Sequence, residues 1–174
     1  MKVEDLENIS ESLGLTIKIQ VREAFGLKFF RIVIAKIKNN SAKIWGEIKG
    51  WTFSLTDGLQ LDTLRILKGA PKYVSELIWA TTMAWALEQT DCKKARLLAI
   101  YDEEGYSKKL TRYFRFIGFN VVKEVGSSPI DLFLRLIWGG AGTLMNGDCI
   151  SILNKIEKKF QRLGLITQRD NCFL

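Results

Sequence analysis

The sequence predicts a single α/β domain spanning residues 1–174. Its first half is an antiparallel meander, its second a strand-helix-strand-helix-strand unit closed by a C-terminal helix. Three observations lead there. Four β-rich runs follow one another between residues 15 and 67, separated by turn-forming residues. Leu77 to Leu87 is apolar almost all round, as in a helix buried on most sides. Finally, Ala95 to Tyr101 is a solid apolar strand of the kind that fills the interior of an α/β sheet.

Each element has its own signal. Val3, Leu6, Ile9 and Leu13 recur at helical spacing and end at Gly14. Leu15 to Arg22 alternates strictly between apolar and polar, the pattern of a half-buried strand. Runs 28–38, 43–54 and 59–67 follow, divided by Asn39-Asn40-Ser41 and Asp57-Gly58. In the middle run Trp45, Trp51 and Phe53 share one parity, which predicts a row of large side chains on one face. Ser75-Glu76 starts the buried helix over 75–88, and strand 95–101 follows it. Helix 106–117 stops at Gly118 and leads to strand 119–125. Residues 127–150 read equally as a helix opened by Ser128-Pro129 or as a buried strand, with a strand expected near Leu144. Gly139-Gly140-Ala141-Gly142 reads as a phosphate nest or a plain connection. Ile150 to Leu163 is a basic amphipathic helix.

Composition narrows the chemistry. The chain has no His, which excludes Ser-His-Asp and Cys-His nucleophiles, HExxH zinc sites and two-His iron sites. Cys92, Cys149 and Cys172 are too scattered for a CxxC motif and read as reduced thiols, with Cys92 and Cys149 as buried filler. There is no P-loop, GxGxxG or GxSxG, so carboxylates, tyrosines and backbone amides must carry any reaction. The longest charge-free apolar stretch is too short to span a bilayer and the N-terminus is acidic, so no membrane association and a cytoplasmic location are expected.

Lys94 to Val125 resembles the GNAT superfamily of acyl-CoA N-acyltransferases. Ser107-Lys108-Lys109-Leu110-Thr111-Arg112-Tyr113-Phe114-Arg115-Phe116-Ile117-Gly118-Phe119 lies on that family's Asn-x-x-Ala-x-x-x-Tyr-x-x-x-Gly-Phe frame, and the order of elements agrees over residues 15–150. Arg96 to Asp148, with Leu136-Ile137-Trp138-Gly139-Gly140-Ala141-Gly142, also looks like uncharacterised GNAT-like proteins of cyanobacteria and chloroplasts. The resemblance implies an acyl-CoA donor, acetyl-CoA by default, and an amine or protein acceptor. It places the pyrophosphate loop on Ala70-Pro71-Lys72-Tyr73-Val74-Ser75, with backbone amides from Lys72 to Glu76 as donors and Lys68 and Lys72 as charges.

This chain departs from the family pattern at several points. Tyr73 and Ser75 stand where Gly and Gly/Ala are usual, and Pro71 removes a donor. The acid tyrosine would fall at Phe114, leaving the adjacent Tyr113 as the candidate acid, and Ser107 replaces the usual asparagine as a plausible N-cap. Glu47 and Asp62, the acids within the meander strands, are the candidate bases or else exposed strand carboxylates. The acceptor-walling helices after the first strand are reduced to Glu23-Ala24-Phe25-Gly26-Leu27. The expectation is therefore a GNAT-like protein whose N-acyl transfer is weak or lost.

A second reading is a non-catalytic module binding a partner or nucleic acid. Lys18, Arg22, Lys28, Arg31, Lys36, Lys38, Lys43 and Lys49 accompany Trp45 and Trp51, and 26 Lys+Arg face 19 Asp+Glu over the chain, a net charge of +7. Basic and aromatic side chains on a sheet can bind single strands. A solvated face with its tryptophans in the core explains the same residues, and is preferred because net charge alone has modest specificity.

Overall fold

The computed structural model describes residues 1–39, 41–53, 58–100, 107–126, 128, 131–132, 135–136 and 139–166. In chain order the elements are α1 (Val3–Ser12), β1 (Thr16–Ala24), β2 (Leu27–Lys38), β3 (Ser41–Phe53), β4 (Leu59–Ile66), α2 (Val74–Gln89), β5 (Lys94–Ile100), α3 (Ser107–Ile117), β6 (Asn120–Val125), β7 (Gly142–Asp148) and α4 (Cys149–Arg162). The strands form one seven-stranded mixed sheet in the order β1-β2-β3-β4-β5-β7-β6. Every neighbouring pair is antiparallel except β4 and β5, which run parallel. A strand-helix-strand unit sets its two strands side by side and parallel, and β4 and β5, joined by α2, pair in that way from Leu59–Leu61 to Ala95–Leu97.

The first hairpin is as tight as a hairpin can be. Ala24 pairs with Leu27, and Phe25 and Gly26 both take positive φ, the pair of conformations a two-residue turn requires. The segment where a substrate-walling insertion would sit is therefore only a turn. In the ambiguous stretch the described residues Leu132, Arg135 and Leu136 are helical and the Gly139 N–H donates to the Arg135 carbonyl, which favours the helix reading there; the rest of 127–138 lies largely outside the described residues.

The main core lies between the sheet and its helices. α2 is buried from Val74 to Ala86 except at its first turn, because the sheet lies beneath it and α1 and α4 pack beside it. Ile48, Leu61 and Leu97 from the sheet meet Leu77, Ile78 and Trp79 of α2. Gly46 makes that approach close, since a Cβ there would lie 2.5 Å from Ile78 Cδ1. Phe30 stacks on Trp85 with ring centroids 4.8 Å apart, and Trp79 meets Phe114 at 6.1 Å and Phe119 at 5.3 Å. Cys92 and Cys149 are free and buried, as expected of filler, and burial together with Asp148 pushes the Cys149 thiol up to about 12. Cys172 lies outside the described residues.

The opposite face of β1–β4 carries no described helix. Its side chains alternate with the core set, so Arg22, Phe29 and Trp51 line up across β1, β2 and β3. Gln20, Arg31, Lys49 and Thr63 form the next row, and Lys18, Val33, Glu47 and Arg65 the one after. One expectation fails here. Ile34 pairs with Gly46 but Ala35 with Ile44, so Trp45 is the extra residue of a β-bulge and packs against the core with Lys43 over its ring. The row of Trp45, Trp51 and Phe53 is broken because one inserted residue resets the alternation.

Candidate functional site

A second bulge shapes the middle of the sheet. Lys49 pairs with Thr63 and Gly50 with Leu61, leaving Asp62 as the extra residue on β4. Parallel pairing between β4 and β5 covers only Leu59–Leu61 against Ala95–Leu97. Beyond it lies a cleft of about 220 Å³ lined by Asp62 to Leu64, Leu97 to Ile100, Trp79, Leu110 and Tyr113. Its walls are apolar, with Asp62 and the Tyr113 hydroxyl among its few polar groups. Asp62 is exposed and also borders a hollow of about 510 Å³ on the uncovered face, shared with Arg22, Phe29, Arg31, Lys49 and Trp51. The bulge thus sets one carboxylate where the uncovered face meets the cleft.

Tyr113 is held in position. Trp79 Nε1–H donates to its hydroxyl at 2.8 Å, and that hydroxyl shares a hydrogen bond of 2.7 Å with Ser75 Oγ. Tyr113 and Ser75, singled out separately in the sequence, are thereby brought together from α3 and α2. Phe114, where the resemblance implies an acid, packs edge-on against Trp79 and Phe119 at the core side of the cleft.

Tyr73, Val74, Ser75 and Glu76 form the start of α2, whose N-cap makes no side-chain capping bond. Tyr73 itself has φ +72°, the left-handed conformation that glycine adopts without strain. The resemblance puts a glycine at that position, and the backbone keeps the glycine shape with a tyrosine in it, the ring packing edge-on to Phe160 at 6.5 Å. The first-turn amides of a helix have no intrahelical acceptors. Val74 is buried, Lys68 and Lys72 are exposed beside this turn, and Glu76 is ion-paired to Lys159 of α4. Ser107 opens α3; its side chain lies outside the described residues.

Glu47 has a different surrounding from Asp62. It is 9% exposed, accepts from Arg31 Nε at 2.9 Å, and lies 2.7 Å from Arg31 Nη2 and 3.6 Å from Lys49 Nζ. The Arg31 hydrogen bond, opposed by burial and aided by the charges of Arg31 and Lys49, holds its carboxyl below the ordinary value of 4.5. The pair stabilises the fold above that ordinary value, and its contribution disappears as pH falls through the lowered folded value. Glu47→Gln is therefore expected to cost on the order of 1 kcal/mol at pH 7, with the gap from wild type closing below pH 4.5. Thermal melts of both proteins across that range check it; a gap independent of pH would show that the ion pair contributes nothing.

The architecture is shared with solved acetyltransferases. Apo FdhC, described as a nucleotide-linked sugar GNAT, matches with a TM-score of 0.53 at 7% identity, over 77% of this chain and 64% of that one. This chain therefore spans less than two thirds of that protein. A variant of the spermidine N-acetyltransferase SpeG from Vibrio cholerae matches at 0.50 and 10% identity, over 73% of this chain and 68% of that one. A GNAT-family protein from Desulfovibrio desulfuricans matches at 0.50 and 8% identity, over 70% and 69%. No family model matches the chain, and no curated protein matches its sequence. At such identities the likeness shows the fold alone: this is the mixed α/β fold of the GNAT acetyltransferases.

Proposed function

We propose that the protein binds an acyl-CoA, acetyl-CoA by default, at the β4–β5 cleft and the start of α2, and that its transfer of the acyl group to an amine or protein acceptor is weak or lost. The observation that carries this is the cleft itself. It opens where the parallel pairing stops, lined by Asp62 on its bulge and by Tyr113, whose hydroxyl is hydrogen-bonded to Ser75 in the first turn of α2. The left-handed Tyr73 and the amides from Lys72 to Glu76 suit a pyrophosphate, with Lys68 and Lys72 adding charge. A bound acyl-CoA would supply a thioester carbonyl for an amine to attack.

Two side chains are the candidates to move protons in such a reaction. Trp79 donates to the Tyr113 hydroxyl, and when Ser75 Oγ also donates to it the Tyr113 O–H is left to serve as an acid toward a leaving thiolate. Asp62 suits the base better than Glu47, because it meets both the cleft and the uncovered face, whereas the Glu47 oxygens are already taken by Arg31 and Lys49.

A thermal-shift titration tests the site. CoA is expected to raise the melting temperature with the logarithm of its concentration, as a ligand that binds only the folded state must. Ser75→Pro deletes an amide within the first helical turn, where proline is tolerated, and is expected to abolish that rise; Ser75→Ala, which loses only the bond to Tyr113, is expected to keep it. Unchanged CoA affinity in Ser75→Pro would place the site elsewhere.

A further inference from the structure

The uncovered face of β1–β4 joins three features. It is broad, with no described helix upon it. It is basic, with Lys18, Arg22, Arg31, Lys49 and Arg65 in neighbouring rows, against Glu47, already held by two of those cations, and Asp62 at the edge. It is also aromatic at one end, where Phe29, 45% exposed, stands directly opposite the partly exposed Trp51. Phe29 and Trp51 therefore stand on one face of neighbouring strands about 4.8 Å apart, with Arg22 next to Phe29 on β1 and the Arg31–Lys49 row beside them.

Each feature excludes an occupant. A second copy of this face would bring like charges together, which disfavours a face-to-face dimer. An acidic polypeptide would use the cations but has no general need for two adjacent exposed rings. A chain of phosphates carrying flat bases uses both, because every base offers a face for stacking while its backbone seeks positive charge. We infer that this face binds single-stranded nucleic acid, with Phe29 and Trp51 stacking bases and phosphates held by Arg22 and by the one positive charge that Arg31 and Lys49 keep beyond their pairing with Glu47. The inference does not depend on acyl-CoA binding, and its test contains no CoA.

The test is fluorescence anisotropy of the full chain with a labelled oligothymidylate of about 15 nucleotides, between roughly 50 and 200 mM salt. Binding is expected at the low end and a linear fall of log affinity with log salt. Trp51→Ala is expected to weaken binding about tenfold, and Trp51→Phe, which keeps a ring, to restore most of it. Arg22→Gln is expected to weaken binding and reduce the salt slope by about one. No binding at low salt would overturn the inference. So would a duplex of equal length binding as tightly, since stacking would then be irrelevant. Polyglutamate of equal charge displacing the oligonucleotide equally well would assign the face to an acidic protein instead.

Discussion

Gly50→Val is expected to be the most damaging single substitution in the sheet. A Cβ on Gly50 would lie 2.2 Å from the Gln60 carbonyl oxygen and 2.6 Å from the Phe30 ring. The first obstacle is backbone, so no side-chain rotation relieves it; the second is a buried ring stacked on Trp85. Overpacking of this kind costs about 3 kcal/mol, and more where the backbone must shift. For a chain of 174 residues, that is a fall of roughly 6–12 °C in melting temperature. Urea unfolding of Gly50→Ala and Gly50→Val measures it directly, with the smaller side chain causing the smaller loss. A change within about 0.5 kcal/mol for valine would mean that β3 and β4 separate easily at this point. The position matters beyond stability because Gly50 follows the register shift that sets Asp62 at the mouth of the cleft.

The purified protein is expected to show little acetyl transfer to a broad panel of amines and protein N-termini, even at high acetyl-CoA. The resemblance puts the general acid at Phe114, which has no ionisable group, and leaves Tyr113 as the candidate in its place. Where the resemblance implies helices that wall the acceptor, β1 and β2 are joined by a two-residue turn. Loss of a general acid costs about 10²–10⁴ in rate, so unless Tyr113 replaces it the chemistry would fall toward the limit of useful turnover, with an open acceptor side lowering it further. Robust turnover that falls at least tenfold in Tyr113→Phe or Asp62→Asn would overturn this and name the catalytic residue. A comparable fall in Glu47→Gln would point to the ion-paired carboxylate, against its present partners.

Much of the fold was legible because it is local. The strict alternation from Leu15 to Arg22, the all-round apolar face of α2 and the solid run into β5 each report their own surroundings, and together they fixed the element order and the parallel neighbours. The candidate site was legible only in part. Ser75, Tyr113 and Asp62 could be named from the family frame and from strand position, but nothing in the spacing said that Ser75 and Tyr113 share a hydrogen bond across 38 positions.

What the sequence determined by itself was the periodicity of each segment and the residue types excluded from its chemistry, above all histidine. Tertiary structure alone decided the two bulges, and through them that Trp45 enters the core while Asp62 reaches the cleft. It also decided that Tyr73 holds a glycine's conformation and that Arg31 occupies Glu47. The reason is physical. Alternation records which side of its own strand a residue takes, whereas a bulge or an ion pair depends on the register against a neighbouring strand, which packing of the whole sheet selects.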